Sequence, residues 1–215
     1  MNTYNLLFVS ILLAIVPFLM VIGTAYLKVN IVLNIFKNAI GAQQVPSGVI
    51  IGTLSLAISL MIMQPVWEKT KTHLLSSNIT NSDFRDVKVG DLMQKIEPIL
   101  QPWKEFIQKN AGENEISFLS NLKNTKLAVK QISADNHLSL TITAFILSEL
   151  REAFQMGLMI LLPFLIIDFL IANILAGLGM MMFSPILLSL PLKILLIVGL
   201  DFWQLIFKAL FLSYS

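Results

Sequence analysis

The chain has no cysteine among its 215 residues, which excludes disulfides, thiolate metal sites and cysteine nucleophiles. Charge is scarce as well, at 13% of residues against about 25% in soluble domains. A net balance of +2 is too small to draw nucleic acid. The two histidines, His73 and His137, both lie in polar sequence and stand 64 residues apart, so no metal site is expected on them. There is no phosphate-binding loop, nucleophile elbow or zinc helix, no internal repeat and no low-complexity linker. We therefore expect neither an enzyme nor a cofactor. The start, MNTYN, lacks the basic stretch of a signal peptide, and the apolar run after it is too long for one, so we expect it to be retained.

Apolar residues are what the chain has in excess, at 56% of the total, with a mean hydropathy of +0.78. Four apolar stretches stand out: about Leu6–Leu27, Val49–Val66, Met156–Phe183 and Ile186–Leu212. Each approaches the roughly 20 residues needed to cross a bilayer as a helix. Trp67–Leu140, between the second and third, holds ten of the fifteen basic and nine of the thirteen acidic residues. The expected fold is all-α and membrane-associated, in three parts. Residues 1–66 form an apolar helical hairpin, 67–140 a mainly helical polar insert, and 141–215 a second apolar hairpin. Lys28 and Lys37 follow the first stretch with no acid nearby, which by the positive-inside rule puts that link in the cytoplasm and the insert and both termini in the periplasm.

Pro17, Pro65, Pro163, Pro185 and Pro191 interrupt the apolar stretches and predict bends or helix ends. Gly48, Gly52, Ser55 and Ser59 follow one another at spacings of 4, 3 and 4, a stripe of small residues against which another helix can pack closely. In the insert, Leu92, Ile96, Ile99, Trp103, Phe106 and Ile107 recur at helical spacing. Pro98 and Pro102 are expected to split that segment into two short helices. Glu113–Lys123 repeats the pattern more weakly, and Ser76–Ser82 and Gln131–His137 read as loops.

The apolar stretches carry charges that would be costly to leave unpaired. Glu149, Asp168, Lys193 and Asp201 lie within or beside them, and Arg151 follows Glu149. One reading is structural pairing, with Lys193 meeting Glu149, Asp168 or Asp201; the other is a proton or ion relay. Pairing is preferred. Met180, Met181 and Met182 sit between Gly-Leu-Gly and Ser184-Pro185, at a turn between two apolar helices. Lipid-facing or core methionine is the plainer account, but this placement favours a soft lining that reshapes around varied contacts. A ring of such turns from several copies would make an adjustable constriction.

These residues resemble the FliP/SctR family of type III export-apparatus proteins. The resemblance rests on Lys37–Pro46 (KNAIGAQQVP), Ala144–Gly157 (AFILSELREAFQMG) and Pro163–Met182 (PFLIIDFLIANILAGLGMMM). Ser189-Leu190-Pro191 with Lys193, and Asp201 with Trp203, follow in the family's order. Lysine replaces the usual arginine at 37, threonine the usual proline at 143, and Phe183 stands where smaller or aliphatic residues are common. The resemblance implies a homopentamer joined by two smaller export-apparatus membrane proteins in one helical complex. That complex lets unfolded proteins leave through the inner membrane and supports the base of the needle or rod. It also implies that Met180–Met182 form a gasket, and that the hairpins are lifted largely out of lipid after assembly. Length, the missing leader and Ser184-Pro185 resemble the injectisome branch more than the flagellar one. The competing class is a proton-coupled transporter or ion channel using Asp168 and Lys193; a third possibility is a scaffold whose pore is incidental.

Overall fold

Val29, Val32, Leu33, Phe36 and Ile40 follow one another three, one, three and four residues apart and are all buried. That spacing puts them on one stripe of helix α1, Tyr26–Ile40. The chain leaves the helix at Gly41, whose φ of +81° suits glycine and whose amide bonds the Asn38 carbonyl at 3.2 Å. Helix α2, Gly48–Ile62, is capped by the Ser47 hydroxyl, which accepts the Ile50 amide at 3.4 Å. After a break at Met63, Pro65 lies in the first turn of α3, Gln64–Ser76, where a missing donor costs nothing. Helices α4, Val89–Asn110, and α5, Glu113–Lys126, form the polar insert. They are followed by α6, Ala134–Gly177, α7, Pro185–Gly199, and α8, Phe202–Leu212.

The computed structural model describes residues 14, 21–41, 46–76, 89–126, 134–180 and 182–214, with backbone alone at 89–96, 123–126 and 134–137. Among the described residues there is no strand, so the all-α expectation holds. Among the described residues, one helix stretch, Leu138–Gly177, is long and apolar enough to cross a membrane. The pairs α2–α3 and α7–α8 meet the same test only if each bent pair counts as one span, and the α7–α8 pair bends by 63°.

The chain divides into two compact units. In Met1–Ala25 with Leu60–Glu149, α3 packs on α4. Ile107 and Ala111 meet Ala144 and Phe145 in a buried cluster, flanked by Trp103, Phe106, Ile116 and Leu119. The Trp103 indole N–H donates to the Gly23 carbonyl at 2.7 Å. A Cβ at Gly23 would lie 2.0 Å from the indole ring, so only glycine fits beneath it. In Tyr26–Ser59 with Leu150–Ser215, Phe36 is fully buried. It stacks on Phe202 at 5.7 Å and meets Phe164 and Trp203 edge-on at 6.0 and 4.8 Å, the offset and T-shaped geometries that aromatic quadrupoles favour.

Several local expectations are corrected. Helix α4 runs unbroken through Pro98 and Pro102. A helix-interior proline costs about 3 kcal/mol, a cost set against the packing of α4 on α3 and of Trp103, Phe106 and Ile107 on the cluster. No helix end forms at Pro163 or Pro191, which lie inside helices, whereas Pro65 and Pro185 stand in first turns, in keeping with the expected helix ends. Residues 134–137, read as loop, belong to α6. The link holding Lys28 and Lys37 is largely helix α1, and Lys28 is buried there; a paired, buried lysine is a poor reporter of topology. Pro17, most of the first apolar stretch and 77–82 fall outside the described residues.

Candidate functional site: a methionine turn above a charge clasp

Helix α6 ends in a double hydrogen bond closed by glycine. The Gly179 amide bonds the Ala176 carbonyl at 3.1 Å and the Met180 amide reaches back to Leu175 at 2.9 Å. Gly179 adopts φ +71°, the left-handed conformation that this ending requires. Ser184 is extended and Pro185 opens α7. Met180 and Met182 thus lie in the connection between two apolar helices. Met182 is fully exposed and Met180 is 37% exposed; Met181 lies outside the described residues. Phe183 is exposed beside them.

Below the turn, Lys193 Nζ lies 2.7 Å from Asp168 Oδ2 and donates to the Ala39 carbonyl at 2.9 Å. The Ser189 hydroxyl donates to the other Asp168 oxygen. The Lys193 side chain is 3% exposed and that of Asp168 30%. Three helices contribute: α6 the acid, α7 the serine and lysine, and α1 the carbonyl near its C-terminal end. Ser189 and Lys193 meet one acid because residues four apart share a helix face. Of the three acids that spacing allowed for Lys193, the structure selects Asp168.

A second buried lysine lies on α1. Lys28, 1% exposed, pairs at 2.7 Å with Glu152 of α6, which is 47% exposed. Its ammonium also stands 3.9 Å from the centre of the Tyr214 ring, a cation–π contact. Sequence reasoning placed Lys28 in a link and gave Glu152, Tyr214, Ser189 and Ala39 no site role. Ser189 had a detectable signal in its four-residue spacing from Lys193; a backbone carbonyl such as Ala39 has none.

The remaining candidates scatter. Glu149 is buried on α6 and Arg151 is exposed. Asp201 is exposed, and with φ 46° it forms the corner between α7 and α8. Of the small-residue stripe on α2, Ser55 and Ser59 are buried, and the Ser55 hydroxyl turns back to the Ile51 carbonyl at 2.7 Å. A Cβ at Gly52 would be 3.8 Å from the Tyr26 hydroxyl, whereas one at Gly48 would meet nothing. His73 is exposed on α3, and the side chain of His137 lies outside the described residues. No group of three or more His, Cys, Asp or Glu side chains gathers to hold a metal among the described residues.

An all-helical membrane protein is thus defined, with an apolar hairpin that carries a methionine turn and is clasped by buried charge. The chain belongs to the FliP family, which it matches over residues 9–210. It is 36% identical over 213 residues to virulence protein YscR of Salmonella typhimurium, covering 98% of this chain and 96% of that one. It is 34% identical over 215 residues to Yop proteins translocation protein R of Yersinia pestis, covering 98% and 96%. Flagellar biosynthetic protein FliP of Bacillus subtilis is 32% identical over 213 residues, covering 99% and 92%.

Proposed function

We propose that this chain is an export-apparatus subunit of a type III protein secretion system, of the injectisome branch, at the bacterial inner membrane. By oligomerising, with a pentamer expected, it forms a gated portal for unfolded proteins. Two smaller membrane proteins of the apparatus complete that portal, which supports the base of the needle or inner rod. Membership of the FliP family and the names of relatives in translocation and virulence support the role.

The observation that carries the pore reading is the uncovered methionine turn at the end of an apolar hairpin, with Met182 fully exposed. Methionine at such a tip fits a seal that must deform around different chains. Apolar side chains stand exposed along both arms, among them Leu158, Met159, Phe169, Leu187 and Leu195, which suits contact with lipid before assembly and with other copies after it. Glu149 and Arg151 on α6, Asp201 at its corner and the Ser55–Ser59 face of α2 are assigned to packing between helices and copies. A proton-coupled role for Asp168 draws less support, because both its oxygens are engaged by Ser189 and Lys193.

The test is native mass spectrometry of the detergent-solubilised chain with its two smaller partners, followed by conductance after replacing Met180, Met181 and Met182 with alanine. A pentamer that recruits the partners and leaks ions when the methionines are cut back is the expected result. A stable monomer or dimer that ignores the partners would overturn the portal reading. A sealed complex after triple replacement would leave a scaffold. Loss of ion flux in Asp168→Asn alone would favour the transporter.

A further inference from the structure

Lys193 does more than neutralise Asp168, because its second partner is the carbonyl of Ala39, one residue before the end of α1. The last four carbonyls of a helix have no intrahelical donor, and together they carry about half a negative charge. The Gly41 amide takes the Asn38 carbonyl, and Lys193 Nζ takes Ala39. Gly41 leaves the helix in the left-handed conformation, and a Cβ there would sit 3.8 Å from Lys193 Nζ and 3.5 Å from Ile186. The α1 end and the start of α7 therefore meet at the ammonium with little space between them.

We propose that Lys193 is a positioning residue. It serves as the C-terminal cap of α1 and thereby fixes the α6–α7 hairpin, and with it the methionine turn, on that helix. Asp168 and Ser189 stand roughly two and a half turns and one turn back from the hairpin ends of their helices. The grip is thus close enough to the tip to set where it points. The role of the turn rests on the portal reading; the cap does not.

The two partners of Lys193 make the clasp asymmetric. Removing the acid leaves the ammonium on the negative end of α1. Removing the lysine leaves the carboxylate with Ser189 and takes the donor from the Ala39 carbonyl. Reversing the pair, with Asp168→Lys and Lys193→Asp together, restores the ion pair and sets a carboxylate against the helix end. An ion relay or a plain salt bridge predicts no such asymmetry.

The experiment is amide hydrogen exchange on the full-length, detergent-solubilised chain, read at the C-terminal turn of α1. Lys193→Met and the reversed pair should exchange there roughly tenfold faster or more, the scale of losing a charge-assisted hydrogen bond. Asp168→Asn should stay within about threefold of the parent, well short of that loss. Because the chain has no cysteine, a spin label at Met182→Cys reports the turn alone, and its mobility should rise in the same order. If the reversed pair restored slow exchange, or Asp168→Asn opened α1 as far as Lys193→Met, the cap would be overturned. If Lys193→Met fails to accumulate, the reversed pair read against Asp168→Asn decides the matter. An opened α1 with an unchanged label would overturn the positioning role. Slow exchange that depends on Lys193 in a chain that never oligomerises would sink the portal and leave the cap standing.

Discussion

In the unit that contains α4 and α5, the buried centre is Ile107, Ala111, Ala144 and Phe145, and Glu149 is its one buried charged residue among those described. In the unit that contains α1, α7 and α8, two lysines, Lys28 and Lys193, are nearly unexposed. There, large apolar residues such as Leu187, Leu195 and Val198 stand open. The apolar centre where α4 and α5 meet Ala144 and Phe145 is the kind that removal of apolar surface from water drives. The second unit suits an apolar surrounding, where one aliphatic contact is as good as another and polar groups and close packing choose the partner. One chain therefore uses two rules, and the same substitution type should have different consequences in each unit.

The comparison would break most visibly at Phe36. If polar groups alone ordered the apolar unit, losing this ring would be tolerated. Phe36 instead joins Phe164, Phe202 and Trp203, so Phe36→Ala should destabilise by about 4 kcal/mol, the range for a buried ring. Denaturation of the purified chain followed by tryptophan fluorescence reads this out. The next effect belongs to the other unit. Gly23→Ala forces a methyl into the Trp103 ring and should cost about 2–3 kcal/mol, typical of overpacking. Trp103→Phe, which loses the bond to the Gly23 carbonyl, should cost about 1 kcal/mol in the same assay. The smallest effect sharpens the contrast between the two lysines. Glu152 is half in solvent, so Glu152→Gln should cost under about 1 kcal/mol and lose most of that in high salt. An effect of several kcal/mol there would mean that Lys28 depends on Glu152 far more than its exposure implies.

Much of the candidate site was readable from residue order. Gly-Leu-Gly before the methionines and Ser-Pro after them announce a turn, and the glycine-closed end of α6 forms at Gly179. Lys193 within an apolar run required a partner, because an ammonium there is too costly to leave alone. Three acids qualified, and spacing could not choose among them. Pro98 and Pro102 misled for a related reason. Their local penalty is visible in sequence, whereas the packing of α4 on α3 and of Trp103 and Ile107 against Ala144 and Phe145 joins residues far apart in the chain. Lys28 misled similarly: in sequence it looks like a loop charge, yet α1 carries it inward to Glu152 and Tyr214.

By itself, the sequence determined helices rather than strands, the division into apolar and polar stretches, the family and the existence of the methionine turn. These depend on composition, on periodicity and on residues close together in the chain, where the physics is local. Only the tertiary structure decided that Asp168 is the acid for Lys193, that Ala39 shares the same ammonium, that Gly23 lies beneath Trp103 and that α4 stays whole. Each of those outcomes is a competition between groups 25 to 154 residues apart, and helix packing, not spacing along the chain, selects the winner.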